Sequence, residues 1–257
     1  MAALPLEHAR DEALVHVQGL KMAYGAKLVQ RDLNFDIRAG EVLAVIGPSG
    51  CGKSTLLRHL IGLQAPSAGH ILYGDEDLNH AEGDALAKLR RVFGVSFQAG
   101  ALWSSMSVGE NVMLPLEIFG SNDASERERL ARAKLNLVGL GDQFDAEPGA
   151  LSGGMKKRAA IARALALEPP LLYLDEPSAG LDPLTAAQLD HLIQHLHDEG
   201  HTIVMVTHEL PSIFAVADRA LFLDADEHTM TALDAPGQLR DHGPEKVRCF
   251  LRRGLPA

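Results

Sequence analysis

The sequence predicts an α/β domain built on a parallel sheet, with a helical lobe added to it. Three observations carry this. "PPLLYLDEP" and "HTIVMVTHE" are short, nearly continuous apolar runs, as expected of strands covered on both faces. "GPSGCGKST" stands between an apolar strand pattern and a helix pattern. Between the phosphate-loop motif and "PPLLYLDEP", residues 107–139 turn helical and charged, too long a stretch for a simple connection.

The elements follow in order. Val15 and Val17, then Leu33, Phe35 and Ile37, alternate in the strand manner before an apolar strand at Val42–Ile46. After the first long helix, "GHILYGDEDL" predicts a short hairpin, and "RRVFGVSFQ" a strand ending at Gln98. From Ser107 to Gly139 the spacing is helical, with Pro115 marking a break. Thr185–Glu199 has helical spacing, "ALFLDADEHTMTAL" reads as a final hairpin, and the tail from Pro236 as helix. No internal repeat appears. The organisation expected is one domain over 1–257. Its α/β core takes residues 14–77 and 166–235, the helical lobe 78–165, and a C-terminal tail 236–257.

Composition narrows the function classes. A hydrophobic share of 46% and a charged share of 23% fit a globular protein, and a net charge of −10 argues against a nucleic-acid partner. Two cysteines, Cys51 and Cys249, with no CxxC, fit a reducing cytosol. The start, "MAALPLEHARDEALV", lacks the basic-then-apolar order of a signal peptide. Val92 to Gly109, the longest uncharged run, is too polar to cross a bilayer, so a membrane role is expected to come through a partner.

The motifs point to phosphate chemistry. Gly47, Pro48, Ser49, Gly50, Cys51, Gly52, Lys53, Ser54 and Thr55 match G-x-x-x-x-G-K-[ST] in the required strand–loop–helix setting. Its glycines let backbone N–H groups turn toward phosphate oxygens. Lys53 reaches the β and γ phosphates, and Ser54 ligates Mg²⁺. Asp175 and Glu176 end a strand, where one carboxylate suits Mg²⁺ and the other the attacking water. His208 and Gln98 are expected at the ends of neighbouring strands, and Tyr24 offers an aromatic face for adenine. A second anion-binding helix start lies in "LSGGMKKRAAIARAL", with Ser152 and the amides after it. Cys51 sits beside Lys53 at a helix start, a field expected to lower its thiol pKa, so that a maleimide should inactivate and Mg-ATP protect. His191 and His195 share a helix face at zinc-like spacing but read as a solvated face.

Taken in order, Tyr24, GPSGCGKST, Gln98, LSGGM, LLYLDE, SAGLD and His208 resemble the ATP-binding cassette of ABC transporters across nearly the whole chain. The resemblance implies a P-loop NTPase cassette: a mixed, mainly parallel core sheet, an antiparallel β subdomain and a helical insertion. It makes ATP and Mg²⁺ the cofactors. Glu176 becomes the catalytic carboxylate, with His208 and Gln98 beside it, and Asp175, Ser54 and Gln98 become metal-facing residues. It also implies a homodimer sandwiching two ATP, in which Ser152, Gly153 and Gly154 of one copy complete the other's phosphate cage and Asp182 lies between the sites. The usual glutamine after the signature glycines is Met155 here. Its amide is not what contacts the oxyanion, so activity is expected to survive.

A single cassette of this family needs integral membrane permease subunits. "SFQAGALWSSMSVGENVMLPL" is expected to line the groove that receives them. Within the family, "FQAGALWSSMSVGENVMLPL", the signature with Met155, and "VRCFLRRG" look most like Mce/Mla-type phospholipid transport cassettes. That likeness implies a periplasmic MCE-domain lipid-binding protein reached through the permease, and a peripheral position on the cytoplasmic face of the inner membrane. A small-solute, amino-acid-type importer is the alternative. A soluble ATPase acting on nucleic acid or ribosomes is disfavoured by the acidic charge and the single cassette without a heptad insertion.

Overall fold

The computed structural model describes residues 12–120 and 123–252. Most of the N-terminal stretch read as lacking a signal peptide, and Arg253 and Gly254 of "VRCFLRRG", lie outside the described residues. In chain order the first elements are β1 (Ala13–Tyr24), β2 (Lys27–Arg38), β3 (Val42–Ile46), α1 (Lys53–Leu60), β4 (Ala68–Tyr73) and β5 (Glu76–Asp77). Then come α2 (Gly83–Val92), β6 (Phe93–Ser96), α3 (Val108–Phe119), α4 (Ala124–Leu137) and α5 (Gly153–Ala164). The remainder is β7 (Leu171–Asp175), α6 (Pro183–Asp198), β8 (Thr202–Val206), α7 (Leu210–Val216), β9 (Arg219–Asp224), β10 (Thr229–Asp234), α8 (Pro236–His242) and α9 (Glu245–Leu251).

A six-stranded sheet has the order β10-β9-β3-β8-β7-β6, parallel except for the antiparallel edge strand β10. A four-stranded antiparallel sheet, β2-β1-β4-β5, packs beside it. The strict two-residue period divides the central strands between two cores. Val42, Ala44 and Ile46 of β3 face the helices α3–α9, while Leu43 and Val45 face α1 and the antiparallel sheet. The hydroxyls of Tyr73 and Tyr173 meet at 2.7 Å across the second core, and Tyr73 also donates to the Leu60 carbonyl. That pairing satisfies two buried polar tips between the sheets.

Two expectations from the sequence change. The strand expected in "RRVFGVSFQ" is β6, which ends at Ser96 rather than Gln98 and pairs with β7 in the main sheet, so segment 78–165 contributes a core strand before the helices α3–α5. Pro115 does not break its helix. It lies inside α3, which runs on to Phe119, and the interruption falls at Gly120. The reason is tertiary. A capping box between Ser107 and Glu110 closes the N-terminus, and Val108, Val112 and Leu116 are buried, which outweighs the single helical bond Pro115 cannot donate.

Candidate nucleotide site

The sheet order places the carboxyl ends of β3, β7 and β8 side by side, and the loops leaving them build one site. After β3 the chain wraps through Gly47–Gly52 into α1. Gly47 has φ 144°, and a Cβ there would come within 2.5 Å of the Leu223 carbonyl oxygen, so only glycine fits this turn. Lys53 is buried at the start of α1, and its Nζ donates to the carbonyls of Gly47 and Pro48 at 2.9 and 3.0 Å. Buried Gln30 fixes the loop from behind, donating from Nε2 to the Cys51 carbonyl at 2.7 Å and the Asp224 carbonyl at 3.0 Å.

At the end of β7, Asp175 accepts a hydrogen bond from the Ser54 hydroxyl at 3.3 Å. Burial, and then the adjacent Glu176 charge, push the Asp175 carboxyl above its ordinary range. A half-buried carboxylate beside a serine hydroxyl and a second carboxylate is a hard oxygen donor set short of positive charge, which suits Mg²⁺. Glu176 is buried and has φ 50°, left-handed for a non-glycine residue, with its N–H donating to Val206 in the register of the sheet. His208 leaves β8 on the same edge. Its Nδ1 lies 3.0 Å from Oε1 and 2.9 Å from Oε2 of Glu176. The hydrogen bond runs to Oε1, and Oε2 is buried within ion-pair distance of the same nitrogen.

These residues surround a cavity of about 620 Å³ lined by Tyr24, the whole loop from Gly47 to Thr55, Glu176 and His208. Tyr24 is 48% exposed and touches Thr55 through its hydroxyl at 3.5 Å, which leaves its ring face open. The cavity has the size of a nucleotide site. The remaining candidates stand outside it. Gln98 is exposed in the turn after β6, two residues beyond the strand end. Ser152 is the exposed N-cap of α5, accepting from the Met155 N–H, and Asp182 is the exposed N-cap of α6, accepting from the N–H groups of Leu184 and Thr185. Neither they nor Gly153 and Gly154 line the cavity of their own chain.

The expectation for Cys51 is overturned. Its side chain is 2% exposed and packs into the core between the sheets. Burial raises the thiol pKa, and the opposing pull of Lys53 does not cancel it, so the thiol is protonated and shielded. Cys249 is exposed. His191 and His195 are exposed on α6, as a solvated face requires.

The structure also brings in residues that the sequence did not single out. Phe250 of α9 and His228 after β9 line the same cavity, with Phe250 packed edge-on against Phe222 at 5.4 Å between centroids. Lys157 of α5 donates to the Glu176 carbonyl at 2.7 Å. A basic first turn in α5 was the visible signal for Lys157; nothing in the sequence marked what it would reach.

A phosphate loop on a mainly parallel sheet, with paired carboxylates at the end of the strand once removed from it, defines a P-loop nucleotide-binding domain. The ABC transporter family model matches residues 30–179, and the chain belongs to that family. The "Probable ribonucleotide transport ATP-binding protein mkl" of Mycobacterium leprae (strain TN) is 42% identical over 205 residues, covering 79% of this chain and 59% of its own length. The "Methionine import ATP-binding protein MetN" of Rhizobium johnstonii is 40% identical over 253 residues, covering 96% of this chain and 69% of its own. The chain thus spans only part of these curated relatives. Among solved structures, the dimeric post-hydrolysis state of the ATP-binding cassette MJ0796 bound to ADP and Pi superposes with a TM-score of 0.78 at 31% identity, covering 86% of this chain and 98% of that one. The structure of cbiO1 from Clostridium perfringens superposes with a TM-score of 0.80 at 28% identity, covering 94% and 96%.

Proposed function

We propose that the chain is the ATP-hydrolysing subunit of a membrane transporter and works as a head-to-tail pair of identical cassettes. One observation carries this. Tyr24, the loop from Gly47 to Thr55, Glu176 and His208 line one cavity, with Asp175 bonded to Ser54 of that loop, while Ser152 and Gly153 are exposed at a helix start outside it, followed by buried Gly154. A phosphate-binding element turned outward is suited to the nucleotide of another copy. The dimeric cassette bound to ADP and Pi, at 31% identity, supports the same arrangement.

In this reading Lys53 exchanges its bonds to the Gly47 and Pro48 carbonyls for phosphate oxygens, and the loop amides surround the β-phosphate. Ser54 and Asp175 would hold Mg²⁺, with Gln98 brought in from its turn, and the ion would supply positive charge against the transferred phosphoryl group. Glu176 Oε2 accepts a proton from the attacking water, whose oxygen bonds to the γ-phosphorus as the bond to the ADP oxygen breaks. His208 Nδ1 stands within 3.0 Å of both carboxylate oxygens, so the carboxylate is aimed rather than rotating. Tyr24 stacks on adenine, and Asp182 stands at the seam between sites.

The permease contact is assigned to the segment 96–116. Trp103 is 60% exposed, yet its backbone is pinned from both sides by buried Asn111, which accepts from the Trp103 N–H and donates to its carbonyl. A rigidly presented, exposed indole suits a partner surface. Among the described residues no helix is long and apolar enough to cross a membrane, in keeping with a cassette recruited by a permease. For the cargo we favour phospholipid, moved with an MCE-domain partner at the cytoplasmic face of the inner membrane. The likeness of the signature with Met155 and of segment 97–116 supports this. The MetN relative, 40% identical over 96% of this chain, favours the small-solute importer as second reading. Co-purification of the permease in mild detergent, with mass spectrometry of bound lipid, tests the choice. Stoichiometric phospholipid with an MCE-domain subunit supports the first reading; a permease without either, binding an amino acid, supports the second.

A further inference from the structure

Lys157 joins two parts of the molecule that serve different nucleotides. It lies on α5, the helix that Ser152 caps, five residues beyond that serine. Its Nζ reaches across to the carbonyl oxygen of Glu176 at 2.7 Å. Glu176 holds a left-handed backbone, φ 50°, which an ordinary residue keeps only when its surroundings fix it. Its N–H side is fixed by the bond to the Val206 carbonyl at 2.8 Å. The other is fixed by Lys157. The ammonium is half-buried; burial draws its pKa down, and the Glu176 and Asp175 charges oppose that pull. A lysine held there at that cost, pointing at a carbonyl rather than at solvent, is placed for position and not for solubility.

We propose that Lys157 is a positioning residue that locks the strained backbone of Glu176 and ties its alignment to the signature helix of the same chain. The inference rests on the reading of Glu176 as the catalytic carboxylate. Because α5 is one continuous helix, a displacement of Ser152 on engaging the partner's nucleotide is carried to Nζ and so to the Glu176 carbonyl. Each copy's carboxylate is thereby set by that copy's grip on the other site. Lys157 touches no substrate; it acts through Glu176.

The test uses the full chain and steady-state ATP hydrolysis. Lys157→Met keeps the length and loses the donor. It should lower kcat by about 10- to 100-fold while KM for ATP stays within about threefold, the pattern of misplacing a reacting group rather than losing a binding contact. Lys157→Arg, which can still donate, should recover most of the turnover. Lys157→Gln provides the same comparison with a neutral donor if the methionine variant does not fold. In a Glu176→Gln background, Lys157→Met should still form the ATP-bound dimer. Unchanged kcat in Lys157→Met, an equal loss in the arginine variant, or a rise in KM matching the fall in kcat would overturn the proposal. Wild-type turnover in Glu176→Gln alone would instead remove the reading on which it rests.

Discussion

At the scale of single residues the proposed roles separate groups that bind from groups that react. Lys53 is buried against its own loop and makes no contact with the Glu176 carboxylate, so the two should fail differently. Lys53→Ala is expected to lose ATP affinity, read by fluorescence titration with a labelled nucleotide, because the phosphate charge loses its partner. Glu176→Gln should keep ATP binding and hydrolyse at least ~100-fold more slowly, trapping a dimer visible by size exclusion. Cys51 gives a residue-level test of burial against local field. With its thiol raised and shielded, a maleimide should label exposed Cys249 first, and Cys51 should react only on unfolding, with or without Mg-ATP. Peptide mass spectrometry reads this directly; rapid Cys51 labelling of the folded chain would mean the loop opens far more than its packing allows.

At the scale of elements, α5 and α6 meet at Gly154. A Cβ at Gly154 would collide with the Thr185 methyl group, and Thr185 cannot swing aside because its hydroxyl is bonded to the Asp182 carboxylate at 2.5 Å. Gly154→Ala should therefore lower the thermal midpoint, with overpacking of about 1–3 kcal/mol exceeding the helix propensity that alanine adds. A midpoint at or above wild type would show that the helices separate easily. The same scale explains what could be read from the sequence. Strands buried on both faces and a phosphate loop between strand and helix declare themselves in a few consecutive residues, so β3, β7, β8 and the loop were legible. Gln30 was not. An irregularity in the pairing of β1 with β2, where Asp32 has φ 52°, shifts the alternation between Gln30 and Leu33, so both are buried despite being three residues apart. Cys51 was misread because a local charge is visible in sequence, whereas the second sheet that covers the thiol is not. Lys157 and Phe250 reach the site from elements distant in the chain, which no local pattern records.

At the scale of the whole molecule the proposed site is divided between two copies. Ser152→Arg should abolish turnover yet leave ATP binding to the single chain intact, since Ser152 lies outside its own cavity. Met155→Gln should leave activity within a few fold. The decisive measurement mixes two inactive chains, Ser152→Arg and Lys53→Ala, and follows ATP hydrolysis as they exchange partners. In the mixed dimer one site has an intact phosphate loop from the first chain and an intact signature from the second, while the other site has neither. Activity should therefore appear on mixing, with about one quarter of the wild-type rate per chain as its ceiling, half the dimers being mixed with one working site of two; coupling through Lys157 lowers it below that ceiling, because the working Glu176 belongs to the chain whose signature is broken. If each signature serves its own chain, both kinds of site remain broken in every dimer. Mixing would then restore nothing, and the divided site would be wrong.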